Sequence, residues 1–507
     1  MARRQNKHTG NSIFRAILVG IPLLLQIGWL LLVILELNRY STYISLISGV
    51  LASLIVLRLY CKNTNNAFKL PWIMVIMALP VMGMSLYLMT QILGASPYTR
   101  KRLEAVRKEI HKGFSPTPVD PYSVPAAGQL RYLQNHGGNP VFANTAVTYH
   151  SQATDALEDM LRDLEQAKDF IFMEYFIVDN AEAFDRIRQI LIRKVREGLE
   201  VRLMYDDFGS IGYVNLQFAR ELNQAGIQCQ VFNPALPILN LFMNHRDHRK
   251  ITVIDGKIAY TGGYNLANEY FGLSHPYGHW KDTGIRLEGE AVQSLTAAFL
   301  ELWCVAARKT DDLGRYLSVK HSVPAQGLVQ PYTDSPLDRE PTAENVYLNI
   351  INQSRDYVYF MTPYLIITDE LGRALGLAAK RGVDVRIITP GIPDKKAVYA
   401  VTRSYYAGLV KDGVRIFEYT PGFCHGKQCI SDGIIASIGT SNLDYRSLYH
   451  HFENNVLLYD CAAIADIHQD FTETFSVCRE VTDIYKSPRR AVMQLWQCIL
   501  RLFAPML

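Results

Sequence analysis

Two patterns of apolar positions divide the chain. Up to residue 95 the apolar residues run together: Ala16–Leu35, Tyr40–Leu57 and Leu70–Gly94 carry no charge, with Pro22, Gln26, Pro71 and Pro80 among the few interruptions. A helix needs about 20 residues to cross the hydrocarbon core of a bilayer, so this region predicts two to three transmembrane helices. A cleaved signal peptide fits the first run poorly, because its apolar core is long and further apolar runs follow. From residue 96 onward, short β-rich apolar runs alternate with helical stretches. That alternation predicts α/β sandwich domains with largely parallel sheets.

The alternation occurs twice in the same order. Phe170-Ile-Phe-Met-Glu-Tyr-Phe176 matches Tyr357-Val-Tyr-Phe-Met-Thr-Pro-Tyr364. Helical stretches then end at Gly198 and Gly382, each leading into a strand, as helix C-capping by glycine requires. Leu222-Asn-Gln-Ala-Gly-Ile227 matches Leu409-Val-Lys-Asp-Gly-Val414. The first half carries an extra segment around Pro234–Met243, expected to form a loop near the site. The expected organisation is a membrane anchor over 1–95, two α/β domains over 96–330 and 331–485, and a C-terminal segment over 486–507.

Each half contains one H-x-K-x4-D motif. The first is His248, Lys250 and Asp255, followed by Gly262 and Asn265; the second is His425, Lys427 and Asp432, followed by Gly439 and Asn442. All five residue types recur at an offset of 177. One such motif arises readily by chance, but two with matching tails imply two half-sites facing each other. Two histidines, two lysines and two asparagines suit an anionic phosphate, and they lack the soft or carboxylate ligands of a metal cage. No metal and no cofactor are expected. His245, Asp247 and His248 would point to opposite faces of a strand rather than converge on zinc.

Phosphodiester transfer rests on positioning and electrostatics. One histidine attacks phosphorus, and the other protonates the leaving oxygen and then deprotonates the incoming alcohol. Lys250 and Lys427, two residues beyond their histidines, share a strand face with them. Asn265 and Asn442 can donate amide hydrogens to phosphoryl oxygens. A nucleophilic imidazole needs a carboxylate on its far nitrogen, and Asp282 and Glu453 follow the Asn-bearing segments of the two halves. Asp255 and Asp432 belong to the conserved-spacing set but precede glycine, so they read as turn residues that fix the loop beyond the strand. Asp206–Ser210 reads as loop capping, Glu174-Tyr175 as a wall of the site, and His450-His451 as a packing pair.

Composition refines the picture. The formal net charge is +4, and the eight cysteines show no CxxC or paired spacing, which reads as reduced thiols. Arg3, Arg4, Lys7 and Arg15 precede the first apolar run; Arg100, Lys101, Arg102, Arg107, Lys108 and Lys112 follow the last. The denser second cluster puts the catalytic part in the cytoplasm. From Ser487, Arg490, Gln494, Gln497 and Arg501 form a polar stripe on an apolar helix. Such a helix lies in a membrane interface or packs on the domain.

The motifs, with Asn244-His-Arg-Asp-His-Arg-Lys-Ile251, Gly262-Gly-Tyr-Asn-Leu266, Trp280-Lys-Asp-Thr283, Gln330-Pro-Tyr-Thr-Asp-Ser-Pro336 and Asn442-Leu-Asp-Tyr-Arg-Ser447, resemble the phospholipase D superfamily. Within it, nearly the whole chain resembles bacterial cardiolipin synthases. The resemblance implies that two phosphatidylglycerols give cardiolipin and glycerol through a phosphatidyl-histidine, without metal. With the placement of Asp282 it points to His248 as nucleophile and His425 as acid and base, although Glu453 could equally orient His425 as the nucleophile. Gly426, Gln428 and Cys429 depart from the family pattern, which has a small Ala followed by apolar or Thr residues. Membrane lipids are the expected partners. Nucleic acid is not, because membrane spans serve no such substrate and no basic-aromatic stripe is present. A hydrolytic phospholipase D, a transferase using another alcohol and an inactive membrane scaffold are the alternatives.

Overall fold

The computed structural model describes residues 41–92, 97–113, 126–234, 245–309, 313–338 and 340–486, with a few isolated positions near the two ends. Most of the predicted span Ala16–Leu35, the insertion before the first motif and most of the segment after residue 486 lie outside the described residues.

The first half supplies β1 (Thr145–His150), β2 (Phe170–Tyr175), β3 (Glu200–Asp206), β4 (Gln228–Phe232), β5 (Arg246–Asp247), β6 (Lys250–Ile254), β7 (Ile258–Gly262), β8 (His279–Lys281) and β9 (Gly284–Gly289). The second supplies β10 (Leu328–Asp334), β11 (Tyr357–Met361), β12 (Leu365–Ile366), β13 (Asp384–Pro390), β14 (Arg415–Tyr419), β15 (Gly422–Cys424), β16 (Gln428–Ser431), β17 (Ile435–Gly439), β18 (Leu443–Asp444), β19 (His451–Tyr459) and β20 (Cys478–Glu480). One sheet runs β1-β9-β7-β6-β2-β3-β4, the other β10-β19-β17-β16-β11-β13-β14 with β20 at its edge. The duplicated motif therefore sits in a duplicated strand order.

The sheets are mixed, not largely parallel. β2, β3 and β4 pair in parallel, as do β11, β13 and β14. Helical crossovers join these strands and carry the chain back to the same end. The motif strands β6 and β7, and β16 and β17, are antiparallel hairpins. At each tip an Asp-Gly pair turns the chain with positive φ, 54° and 64° at Asp255 and Gly256, 53° and 66° at Asp432 and Gly433. Asp and Gly are the residues that tolerate such a turn.

Alternation along the strands fills separate layers. Phe170 and Phe172 of β2 enter a central core with the helix Val292–Ala307 and one face of the second sheet. Ile171 and Met173 face an outer layer that includes the helices Ala153–Glu165 and Glu182–Arg196. A third core lies on the far face of the second sheet, under Thr342–Gln353, Asp369–Lys380 and Lys396–Lys411. Burial on both faces explains why these strands read as continuous apolar runs.

The apolar N-terminal region differs from expectation. Leu70–Gly94 is not one span: the helix Asn66–Ala78 stops at Leu79, and a second helix begins at Pro80 and runs to Ile92. Proline has no N–H to continue the ladder and disfavours helical geometry in the residue before it. A Cβ on Gly83 would come within 2.6 Å of the Val75 carbonyl oxygen, so the helices turn closely over each other. Each has 13 residues, about 20 Å of helix. Among the described residues no helix is long and apolar enough to cross a membrane. The helix Ser41–Tyr60 nevertheless exposes Leu46, Ile47, Val50, Leu51, Leu54 and Leu57. At the C-terminus, Arg501 stacks 4.2 Å over the Tyr405 ring and Ala504 is buried in the third core, so this described end packs on the domain.

Candidate active site

Each histidine follows a short strand that pairs across the two halves. β5 lies parallel to the start of β19, and the His248 N–H donates to the Phe452 carbonyl at 2.9 Å. β15 lies parallel to β8, and the His425 N–H donates to the Lys281 carbonyl at 2.7 Å. The crossing fixes the carboxylate partners. His248 Nδ1 is 2.9 and 3.0 Å from the Glu453 carboxylate oxygens, and His425 Nδ1 is 2.6 Å from Asp282 Oδ2. Asp282 thus supports His425, not His248: the orienting acid of each imidazole comes from the opposite half. With Nδ1 turned to its carboxylate, Nε2 is the nitrogen each ring can present to substrate, although at His425 it also meets Lys427 Nζ at 2.9 Å.

Lys250 begins β6 and Lys427 precedes β16 by one residue. Both are buried, and each ammonium donates to its own motif histidine's carbonyl at 2.6 Å. Lys427 Nζ also lies 2.8 and 2.9 Å from the two ring nitrogens of His425. Burial lowers Lys250 to about 7 and Lys427 to about 8, although Glu453 and Asp282 pull both upward. Burial lowers His425 to about 4, with Lys427 adding to the effect. Burial pushes His248 well down too, reinforced by Lys250, His451, Lys427 and His425. Each motif thus feels the charges of the other. Burial alone would raise the Asp282 carboxyl, but His425 and Lys427 hold it below the usual carboxylate range. At Glu453 burial wins and the carboxyl is raised. The two half-sites are therefore electrostatically unlike.

The remaining sequence candidates divide. Asp255 and Asp432, grouped with the catalytic residues by their motif, sit at the far ends of the hairpins. Asp255 accepts the N–H groups of Lys168, Asp169 and Phe170; Asp432 accepts those of Arg355, Asp356 and Tyr357. Both tie the hairpin tip to the start of the neighbouring strand. Asn265 Oδ1 accepts the Ile177 N–H, and its Nδ2 uses one of its two hydrogens on the Tyr270 hydroxyl. Asn442 is buried with an unpartnered Oδ1, and its side chain reaches Asp444. Glu174 binds Arg249 at 2.6 Å, with both side chains buried. The Asp206 carboxylate accepts the N–H groups of Phe208, Gly209 and Asp247, the capping role expected of it.

Several site residues escaped the sequence reading. Thr440 donates to Glu453 Oε2 at 2.5 Å, whereas its counterpart Gly263 has no side chain. A Cβ there would lie 2.0 Å from Asp282 Oδ1, so glycine is required for that carboxylate to approach. Asn454 accepts from the Lys250 N–H and donates to Thr261. Aromatic walls differ between the sides: Phe176 and His451 flank His248, while Trp280, Tyr270 and Phe423 flank His425. The departures in the second motif also have partners. Gln428 accepts from Tyr149 and Thr283 and contacts Asp470, and the missing side chain of Gly426 leaves room for Met361 Sδ.

His245, Asp247 and His248 do not form a metal cluster, since His245 Nδ1 meets the His450 carbonyl and Asp247 turns to Arg249. His248, His451 and Glu453 do each offer one ligand atom within 4.8 Å of the others. Lys250 bears on all three, and its charge opposes a divalent ion there.

The family profile described as "Cardiolipin synthase, PLD-like domain" matches residues 160–303 and 347–475. An uncharacterized protein of Streptococcus mutans is 41% identical over 462 residues, 89% of this chain and 99% of that one. A protein of Bacillus cereus named cardiolipin synthase 2 is 34% identical over 465 residues, 89% of this chain and 88% of its relative. Among solved structures, phosphatidylserine synthase of Haemophilus influenzae superposes with a TM-score of 0.56 at 14% identity, over 74% of this chain and 99% of that one, a likeness of fold. The paired half-sites and these matches agree, and the chain belongs to the cardiolipin synthase family of phospholipase D-like proteins.

Proposed function

We propose that the protein condenses two phosphatidylglycerols into cardiolipin and glycerol. The observation that supports this best is the crossed pair of dyads, His248 with Glu453 and His425 with Asp282, between two buried lysines. Such a site is built to hold one phosphodiester and attack it from one side.

In the first step His248 Nε2 forms a bond to phosphorus as the bond to the glycerol headgroup breaks. His425 gives its proton to the departing glycerol oxygen. Both imidazoles are held neutral in the empty site, so the anionic phosphodiester, arriving between them, supplies the charge that favours a proton on His425. Lys250 and Lys427 stabilise the non-bridging oxygens. In the second step His425 removes a proton from a glycerol hydroxyl of another phosphatidylglycerol, which attacks phosphorus and expels His248. Cardiolipin leaves with His425 carrying the proton again, and as the anionic product departs that proton, first taken from solvent on substrate binding, returns to solvent.

A lipid substrate needs the site near a bilayer. The exposed apolar residues of Ser41–Tyr60 favour membrane contact through this helix. The same region docks on the catalytic part: Phe68 packs edge-on against Tyr445, Tyr449 and His450, the last two lying four and three residues before Glu453. The basic cluster around Arg100–Lys112 favours a cytoplasmic catalytic part.

The test is to give purified protein phosphatidylglycerol vesicles and separate the lipid products. Cardiolipin with equimolar glycerol is expected. Phosphatidic acid instead would make the protein a hydrolase, and a product seen only with another added alcohol would make it a different transferase.

A further inference from the structure

His451 is buried to 8% exposure, and neither ring nitrogen has a hydrogen-bond partner. Its Nδ1 stands 3.7 Å from Glu453 Oε1, too far for a hydrogen bond. The ring stacks on Phe176 and lies 5.4 Å from the His248 ring, centroid to centroid. A buried polar group without a partner is uncommon, and one inside an active site is held for something that arrives there. The equivalent place in the other half is Trp280, also two residues before the orienting carboxylate and also 5.4 Å from its histidine. The position is a wall of the half-site in both copies, but only the His248 side carries an imidazole.

The sequence assigned a phosphoryl-oxygen donor to Asn265, whose Oδ1 accepts from Ile177 and whose Nδ2 spends one of its two hydrogens on Tyr270. A nitrogen of His451 lies within 4.8 Å of a nitrogen of His248 and of a Glu453 oxygen. An N–P–O link on His248 followed by one hydrogen bond of about 2.8 Å to His451 spans a separation of this order. We propose that His451 is a phosphoryl-binding catalytic residue, donating a ring N–H to a non-bridging oxygen of the phosphatidyl group while it is carried on His248. This deepens the cardiolipin synthase reading and rests on it for the identity of the phosphoryl group. Burial first, and then the charges of Arg446, Lys250 and Arg246 with His450 beside it, hold the ring neutral opposite Glu453, so it acts through its N–H dipole. Neutral histidine adds a donor without adding another repelling cation beside His248, which already faces Lys250 and Lys427.

Two variants decide it in chelator-containing buffer. His451→Phe keeps the ring volume and the stack on Phe176 but removes the donor; His451→Asn keeps a donor. Two quantities are read: the rate of cardiolipin formation at saturating phosphatidylglycerol, and the dissociation constant of orthovanadate, a phosphate mimic, by calorimetry on the folded protein. H451F is expected to lose at least ten-fold in turnover and to bind vanadate roughly ten-fold more weakly, as loss of one donor to an anion implies. H451N is expected to recover most of both. Wild-type vanadate affinity in H451F would overturn the proposal, whatever happens to turnover. So would equal weakening in H451F and H451N, since that marks packing rather than donation. If the wild-type protein makes no cardiolipin, the lipid reading fails, and the vanadate comparison still decides whether His451 binds a phosphoryl oxygen.

Discussion

Glu453 reaches His248 from the opposite half of the chain, with its carboxylate oxygens 2.9 and 3.0 Å from Nδ1. Asp282 does the reverse for His425. Neither half owns a complete dyad, so the duplication cannot be divided into two working sites. The carboxylates also leave the same nitrogen of each ring open, which is what in-line displacement between two imidazoles needs.

If His248 is the nucleophile, labelled phosphatidylglycerol followed by a denaturing quench should leave the label on His248. Glu453→Gln should slow formation of that adduct, and Asp282→Asn should slow both its formation and its discharge. Losing the group that orients a catalytic imidazole costs on the order of 10⁴ in rate. Label on His425 would exchange the roles, and no label in a rapidly quenched, active enzyme would remove the covalent step.

The lysines set the pH dependence. Both are depressed below the ordinary lysine value, to about 7 at Lys250 and about 8 at Lys427, so they are charged below those values and neutral above. The free-enzyme kcat/KM should therefore be highest below pH 7 and fall through pH 7 to 8. With His425 lowered to about 4 and His248 well below its usual value, a rise in rate near pH 6.5 from a titrating imidazole is not expected. The bell centred on neutrality that two ordinary histidines would give moves to lower pH. Lys250→Ala or Lys427→Ala should lower turnover by roughly 10²–10³, with membrane binding and folding retained. A profile rising between pH 7 and 9 would show that the lysines do not act as cations.

The sequence revealed the duplication because His, Lys, Asp, Gly and Asn keep one spacing, and spacing survives in a linear chain. It could not reveal the crossed dyads: Asp282 follows the first motif and Glu453 the second, and only the pairing of β5 with β19 and β8 with β15 exchanges them. The partners of Asn265, Ile177 and Tyr270, are likewise met only after folding. Leu70–Gly94 looked like a span because hydropathy is blind to the helix break at Pro80, although proline itself was visible.

Asp255 and Asp432 separate structure from chemistry within the motif. Each carboxylate accepts three backbone N–H groups at the start of the neighbouring strand. Asp255→Ala and Asp432→Ala should each cost on the order of 2–3 kcal/mol of stability, because those donors lose a charged acceptor. Turnover per folded molecule should stay within a few-fold of the parent at a temperature where the variants remain folded. Denaturant melts paired with active-site counting by adduct formation give both numbers. A folded variant that forms no adduct would return these aspartates to the catalytic set.

The last prediction concerns divalent ions. In the proposed cycle the nucleophile, the acid and the oxygen-stabilising charges are all side chains, so no step is left for a Lewis acid. His248, His451 and Glu453 could offer three ligands, but only with Nδ1 or Nε2 of His248 withdrawn from its task and against the field of Lys250. Cardiolipin formation should therefore persist after exhaustive chelation at constant ionic strength. Added zinc, which favours imidazole and carboxylate, should inhibit rather than activate, and should do so less in His451→Phe. Activity abolished by chelation and restored only by a divalent ion would require a metal-bound mechanism at those same three residues.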